Sequence, residues 1–201
     1  MRTSRGLLPL AAALSLTGCG VNLFQPRAEV LSKMALPDGM VISAPSGWCI
    51  DQSTTSAGAA TSVVVLGSCA ALSGDAEQLQ PDVPGVVTIS IEAQAGALLD
   101  SETLQTFFLS DAGRATLARN GDPESVSILD TRQEDGLLYL HASDDSLGPD
   151  ASKEIWRALF GLSGRFVAVS FYSRSEDEIA PEDGLSTLTA QVEELRAANQ
   201  I

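Results

Sequence analysis

Four β-rich runs between residues 125 and 173 alternate with turn chemistry and read as an antiparallel meander. The runs are Ser125 to Thr131, Leu137 to Ala142, Glu154 to Leu162 and Phe166 to Ser173. Gln133-Glu-Asp-Gly136 joins the first two, and its Asp-Gly pair suits a two-residue hairpin turn in which both central residues take positive φ. Leu162-Ser-Gly-Arg165 turns the third run into the fourth. Three earlier runs, Met40 to Ala44, Ser62 to Ser68 and Val86 to Glu92, have the same β-branched character.

Two segments carry helical periodicity instead. From a cap at Asp100 or Ser101, the apolar positions Leu104, Phe107, Phe108, Ala115 and Ala118 share one face, and Arg119-Asn-Gly-Asp-Pro123 ends the pattern. Gly113 is a candidate break within it. The second helix spans about 182–199, with Leu185, Leu188, Val192 and Leu195 as a stripe that needs a sheet to lie on. The expectation is an α+β domain over residues 40–201: an antiparallel sheet of about seven strands packed by helices at about 101–119 and 182–199. At 44% hydrophobic and 19% charged the chain has enough apolar material for one core.

The first 18 residues have a different character. Arg2 and Arg5 precede the apolar stretch Leu7 to Leu16, the build of a secretory signal and too short for a permanent membrane span. Leu16-Thr17-Gly18-Cys19 follows and resembles the lipobox of bacterial lipoproteins. The resemblance implies cleavage before Cys19, acylation of its sulfur and its new amine, and a mature protein held to membrane lipid by several acyl chains. Gly20 and Val21, not Asp, follow the Cys, which in many Gram-negative lipoproteins directs a protein to the outer membrane, periplasmic face. Residues 19–39 then read as lipidated Cys and tether, with a short helix opening at Pro26 and Pro37-Asp-Gly39 closing it.

With Cys19 assigned to lipid, Cys49 and Cys69 remain as an even pair in an oxidising compartment, which favours a disulfide. A Cys-x-x-Cys redox motif is absent, and a metal site from this pair and the distant His141 lacks an obvious fourth ligand. Trp48, next to Cys49, either shields the bridge or stands exposed as an anchor for a partner. The element order, together with Ala44-Pro-Ser-Gly-Trp48 after the first strand, resembles the PsbP-like or DcrB-like sandwich, whose members bind partners or act as assembly factors. None of that family's functional residues carries over to this chain.

Charge narrows the partners. The chain has 26 acidic and 12 basic side chains, a net charge of −14, with only two lysines, Lys33 and Lys153, which excludes a nucleic-acid lattice. The nearest approach to a nucleophile elbow, Gly161-Leu-Ser163-Gly-Arg165, has the wrong spacing and lies in a hairpin turn. His141, the single histidine, alternates with Tyr139 in a strand, so a half-buried structural imidazole is the expectation and a general base the alternative. Adjacent acids at Asp144-Asp145, Glu134-Asp135, Glu176-Asp-Glu178 and Glu193-Glu194 fall in turns or on helix surfaces, where carboxylates are solvated.

The loop 144–150 offers Asp144, Asp145 and Asp150 with Gly148 as hard oxygen ligands for a cation, but lacks the spacing of a calcium loop. No phosphate-binding glycine loop is present and no cofactor is indicated. The expectation is a lipid-anchored envelope protein that binds a protein partner without catalysis, with a cation or small-ligand module or an envelope hydrolase using His141 as rivals.

Overall fold

A computed structural model describes residues 28–92, 100–146, 148, 152–173 and 179–199. In chain order the elements are β1 (Lys33–Ala35), β2 (Val41–Ser43), β3 (Trp48–Ile50), β4 (Ser56–Ala57), β5 (Thr61–Ser68), α1 (Cys69–Ser73) and β6 (Gly85–Glu92). Then come α2 (Ser101–Leu109), α3 (Asp111–Leu117), β7 (Val126–Glu134), β8 (Leu137–Asp144), β9 (Glu154–Leu162), β10 (Arg165–Ser173) and α4 (Pro181–Asn199). The fold is α+β, and all pairings in the main sheet are antiparallel in the order β3-β5-β6-β10-β9-β8-β7, with β4 pairing the first half of β5.

The meander is present, and its turn chemistry is as read. Asp135 and Gly136 have φ of 48° and 76°, the pair of left-handed residues that a tight β7–β8 turn requires. Ser163 and Gly164 repeat this between β9 and β10. The last strand of the meander, β10, pairs with β6 and so joins the two groups of strands into one sheet.

Each face of the sheet has its own cover. Phe160, Val167, Val169, Phe171, Ile89 and Val64 point to one face, where α4 lays Leu188, Val192 and Leu195 on them. Alternate residues Leu138, Leu140, Ala142 and Leu159 point to the other, beneath Leu104 and Phe108 of α2 and Leu117 of α3. This division follows from the period of two along each strand.

Four expectations need correction. Residues 33–43 form a ribbon of β1 and β2 over the α4-covered face, so the stretch read as tether is part of the fold from Leu31 onward, and Met34 lies in a strand, not a helix. Burial of Leu36 and Met40, 4% and 3% exposed, draws it in. The run Met40 to Ala44 is therefore outside the main sheet, and β3 takes the edge position instead. Gln191 Nε2 donates to the Ser43 carbonyl, and Asn199 both donates to the Val41 carbonyl and accepts from its N–H, so α4 satisfies the backbone of β2. The segment 101–119 is two helices, broken at Ser110 and not at Gly113; Ser110 ends α2 through its N–H to Phe107 and caps α3 through its Oγ. Finally, Trp48 is 5% exposed and meets Phe171 edge-on at 6.3 Å, so it is a core residue and no interface anchor.

Cys49 and Cys69 form a disulfide across a sequence separation of 20, tying β3 to the residue after β5. Cys19 lies outside the described residues.

Candidate functional site

A cavity lies on the α4-covered face, at the end of the sheet formed by β7, β8 and β9. Its volume is about 190 Å³, and its walls are Asp130 and Arg132 from β7, Tyr139, Leu140 and His141 from β8, Trp156 from β9, and Pro181, Glu182, Leu185 and Leu188 from α4. An engineered apolar cavity of about 150 Å³ admits benzene, so a small organic group fits here.

Local features of the sequence build this site. His141 and Trp156 are register partners on β8 and β9, and their rings stack at 4.5 Å with 12° between planes. Trp156 continues to Phe171 at 5.7 Å, so the cavity floor is fixed by three successive strands. Above it, α4 begins with Pro181, whose lack of an N–H suits the first helical position, and with Glu182 and Asp183, which favour the positive end of the helix dipole. Gly184 lets the helix close on the floor, since a Cβ there would stand 2.2 Å from Trp156 Cε2. Trp156 Nε1 is buried without a hydrogen-bonding partner among the described residues.

An irregularity in β7 sets the rim. Ile128 pairs with Ala142, but the next partner, opposite His141, is Asp130 and not Leu129. The extra residue turns Leu129 outward, 49% exposed, and brings a carboxylate where an apolar side chain would otherwise stand. Arg132 follows on the same face, with its guanidinium 2.7 Å from Glu134.

His141 is the sequence-predicted residue that this site contains. Its Nε2 lies 3.1 Å from Oε2 of Glu154, its side chain is 11% exposed, and the stack on Trp156 holds its plane. A carboxylate beside the imidazole is the arrangement a general base would need. The cavity wall has no Ser, Thr or Cys among the described residues to serve as nucleophile.

The acidic loop is divided. Asp144 is fully buried, with Oδ2 accepting from the Arg119 N–H and Oδ1 from the Ser146 N–H, both at 2.9 Å. Burial alone would raise its pKa, but hydrogen bonds from Ser146, Arg119 and Ser125 outweigh that and hold the carboxyl below its ordinary range. This carboxylate thus anchors the chain leaving α3. Asp145 is exposed and 3.0 Å from Lys153 Nζ, and Asp150 lies outside the described residues. Among the described residues no group of three or more His, Cys, Asp or Glu side chains is placed to hold a metal ion. Of the other acid pairs, Glu134-Asp135 lies at the β7–β8 hairpin, Glu194 accepts from Ser43 Oγ, and Glu176-Asp-Glu178 lies outside the described residues.

Sequence reasoning missed Asp130, Glu154, Trp156 and Glu182 as companions of His141. The alternation of β8 and β9 assigned faces, but the partner across the sheet depends on register, and the bulge that admits Asp130 has no signature in the residues themselves. Comparison with models of known protein families finds no match, and neither a curated protein nor a solved structure matches this chain.

Proposed function

We propose that this protein is a lipid-anchored binding domain of the bacterial cell envelope, held to the periplasmic face of the outer membrane through Cys19, which captures an envelope protein partner without catalysing a reaction on it. The observation that carries the binding role is the cavity beside His141: an apolar floor fixed by aromatic stacking, with charged groups only at its mouth. Such a combination of apolar wall and a few placed polar groups is the usual form of a recognition site. The lipid anchor rests on the run Leu16-Thr-Gly-Cys19 after a basic and then apolar leader. No helix among the described residues is long and apolar enough to cross a membrane.

The topology suits that reading. Leu31 bridges to Ile50, so the chain joins the sheet at its β3 edge, while the cavity belongs to the opposite end. Six interstrand spacings of about 4.8 Å separate β3 from β7, about 29 Å in all. The cavity therefore lies at the end of the sheet remote from the edge that the chain enters after Leu31.

Cross-linking in cells, followed by capture of the full-length chain and mass spectrometry, tests the proposal against a Cys19→Ser form left soluble in the periplasm. One enriched envelope protein, reduced when the lipid is absent, is the expected result. Enrichment of nothing in either form overturns it. The hydrolase reading draws on one observation, the carboxylate of Glu154 beside His141. It requires hydrolysis of an envelope substrate that is lost in His141→Ala with the fold intact.

A further inference from the structure

Two carboxylates at the mouth of the cavity have no cation paired with them among the described residues. Asp130 and Glu182 line its rim from β7 and from the first turn of α4, both are exposed, and neither side chain has a hydrogen bond or ion pair among the described residues. Glu154 adds a third carboxylate just beyond His141. The opposing charge is small: Arg132 is committed to Glu134, and the partial charge at the start of α4 is met by Glu182 and Asp183 together. Below this acidic rim the walls are hydrocarbon and aromatic, from Trp156, Leu185 and Leu188.

A pit with an apolar floor and a mouth where, among the described residues, carboxylates outnumber cations complements a flexible hydrocarbon stem that ends in a cation. We propose that the cavity receives a lysine or arginine side chain of the protein partner, with the methylenes against Leu185, Leu188 and Trp156 and the charged head between Asp130 and Glu182. This inference rests on the partner-binding reading and specifies its chemistry. The bulge supports it, because a regular β7 would place Leu129 opposite His141 and leave the mouth without the Asp130 carboxylate. A net charge of −14 would also draw a basic surface toward the domain over distances set by the ionic strength.

The test uses the full-length chain carrying Cys19→Ser, observed through the indole Nε1–H resonance of Trp156, with that of Trp48 as internal control. The probes are the N-acetyl methylamides of lysine, arginine, norleucine and glutamate. The two basic probes should give a saturable shift at Trp156, and norleucine, which keeps the stem and lacks the charge, should bind about tenfold more weakly. Asp130→Asn with Glu182→Gln should weaken the basic probes by about the same factor, since both positions are exposed and isosterically replaced. Equal affinity for norleucine, preference for glutamate, or no saturation by either basic probe at about 50 mM would each overturn the proposal. The two readings fail separately. If basic probes bind but no partner is captured in cells, the envelope role falls and the cavity assignment stands; if a partner is captured equally by the Asp130→Asn, Glu182→Gln chain, the reverse holds.

Discussion

Gly184→Ala tests how closely α4 is fitted to the floor of the site. A Cβ at this position would lie 2.2, 2.4 and 2.5 Å from Cε2, Nε1 and Cδ2 of Trp156, whereas carbon atoms in contact sit at about 3.5 Å or more. Helix or ring must therefore move by about 1 Å. The ring is held by the stack on His141 and by Phe171, and the helix by Gln191 and Asn199 on β2, so neither moves freely. Two magnitudes compete: alanine is favoured over glycine in a helix by about 1 kcal/mol, and overpacking a close-fitted core costs about 1–3 kcal/mol. With three ring atoms overlapped, the overpacking wins, and a net loss of about 1–2 kcal/mol is expected. Urea denaturation should show a lower midpoint at unchanged slope. In a Trp156→Leu background the overlap is removed and the same substitution should become neutral or stabilising, a coupling of about 1–3 kcal/mol in the double-mutant cycle. A Gly184→Ala protein as stable as its parent in the wild-type background would refute the reasoning.

Further outcomes follow from the same contacts. Replacing Cys49 and Cys69 together by Ser should cost about 3 kcal/mol by loop-closure entropy for the observed sequence separation of 20, measured by denaturation with and without reductant; no difference would show that the unfolded chain gains little freedom. Asp144→Asn leaves one of two buried N–H donors facing an amide NH₂ and should cost about 1–3 kcal/mol at neutral pH. Because the folded-state pKa of Asp144 lies below its ordinary 3.8, its stabilisation is complete above that value and is lost as pH falls through the lowered one. The gap in Tm between parent and variant should accordingly narrow below about pH 4, and a constant gap down to pH 2 would contradict the assignment. Gly136→Ala, at φ 76°, should lose about 1–2 kcal/mol, read as a fall in Tm, while Asp135→Gly at φ 48° should cost little or nothing.

The sequence by itself determined the elements whose signals are local. Alternation in β8 to β10 marks strands, Asp135-Gly136 and Ser163-Gly164 mark their turns, and the stripe Leu185, Leu188, Val192, Leu195 marks α4, because each pattern arises from backbone geometry within a few residues. The disulfide between Cys49 and Cys69 is the pairing that the sequence favours when Cys19 is read as the lipid-bearing residue.

What lies between elements was decided only by the tertiary structure. Ser110 breaks one amphipathic pattern into α2 and α3 because its N–H and Oγ find better use as caps, and β1 becomes a strand because Leu36 and Met40 gain burial over the sheet. The candidate site belongs to this second class. His141 was visible as a lone imidazole, but its companions come from 11 residues upstream, 13 and 15 downstream, and the start of a helix 41 residues away, brought together by sheet register, one bulge and the docking of α4. Register and docking are set by summed burial over the whole sheet, a quantity that no short stretch of sequence contains.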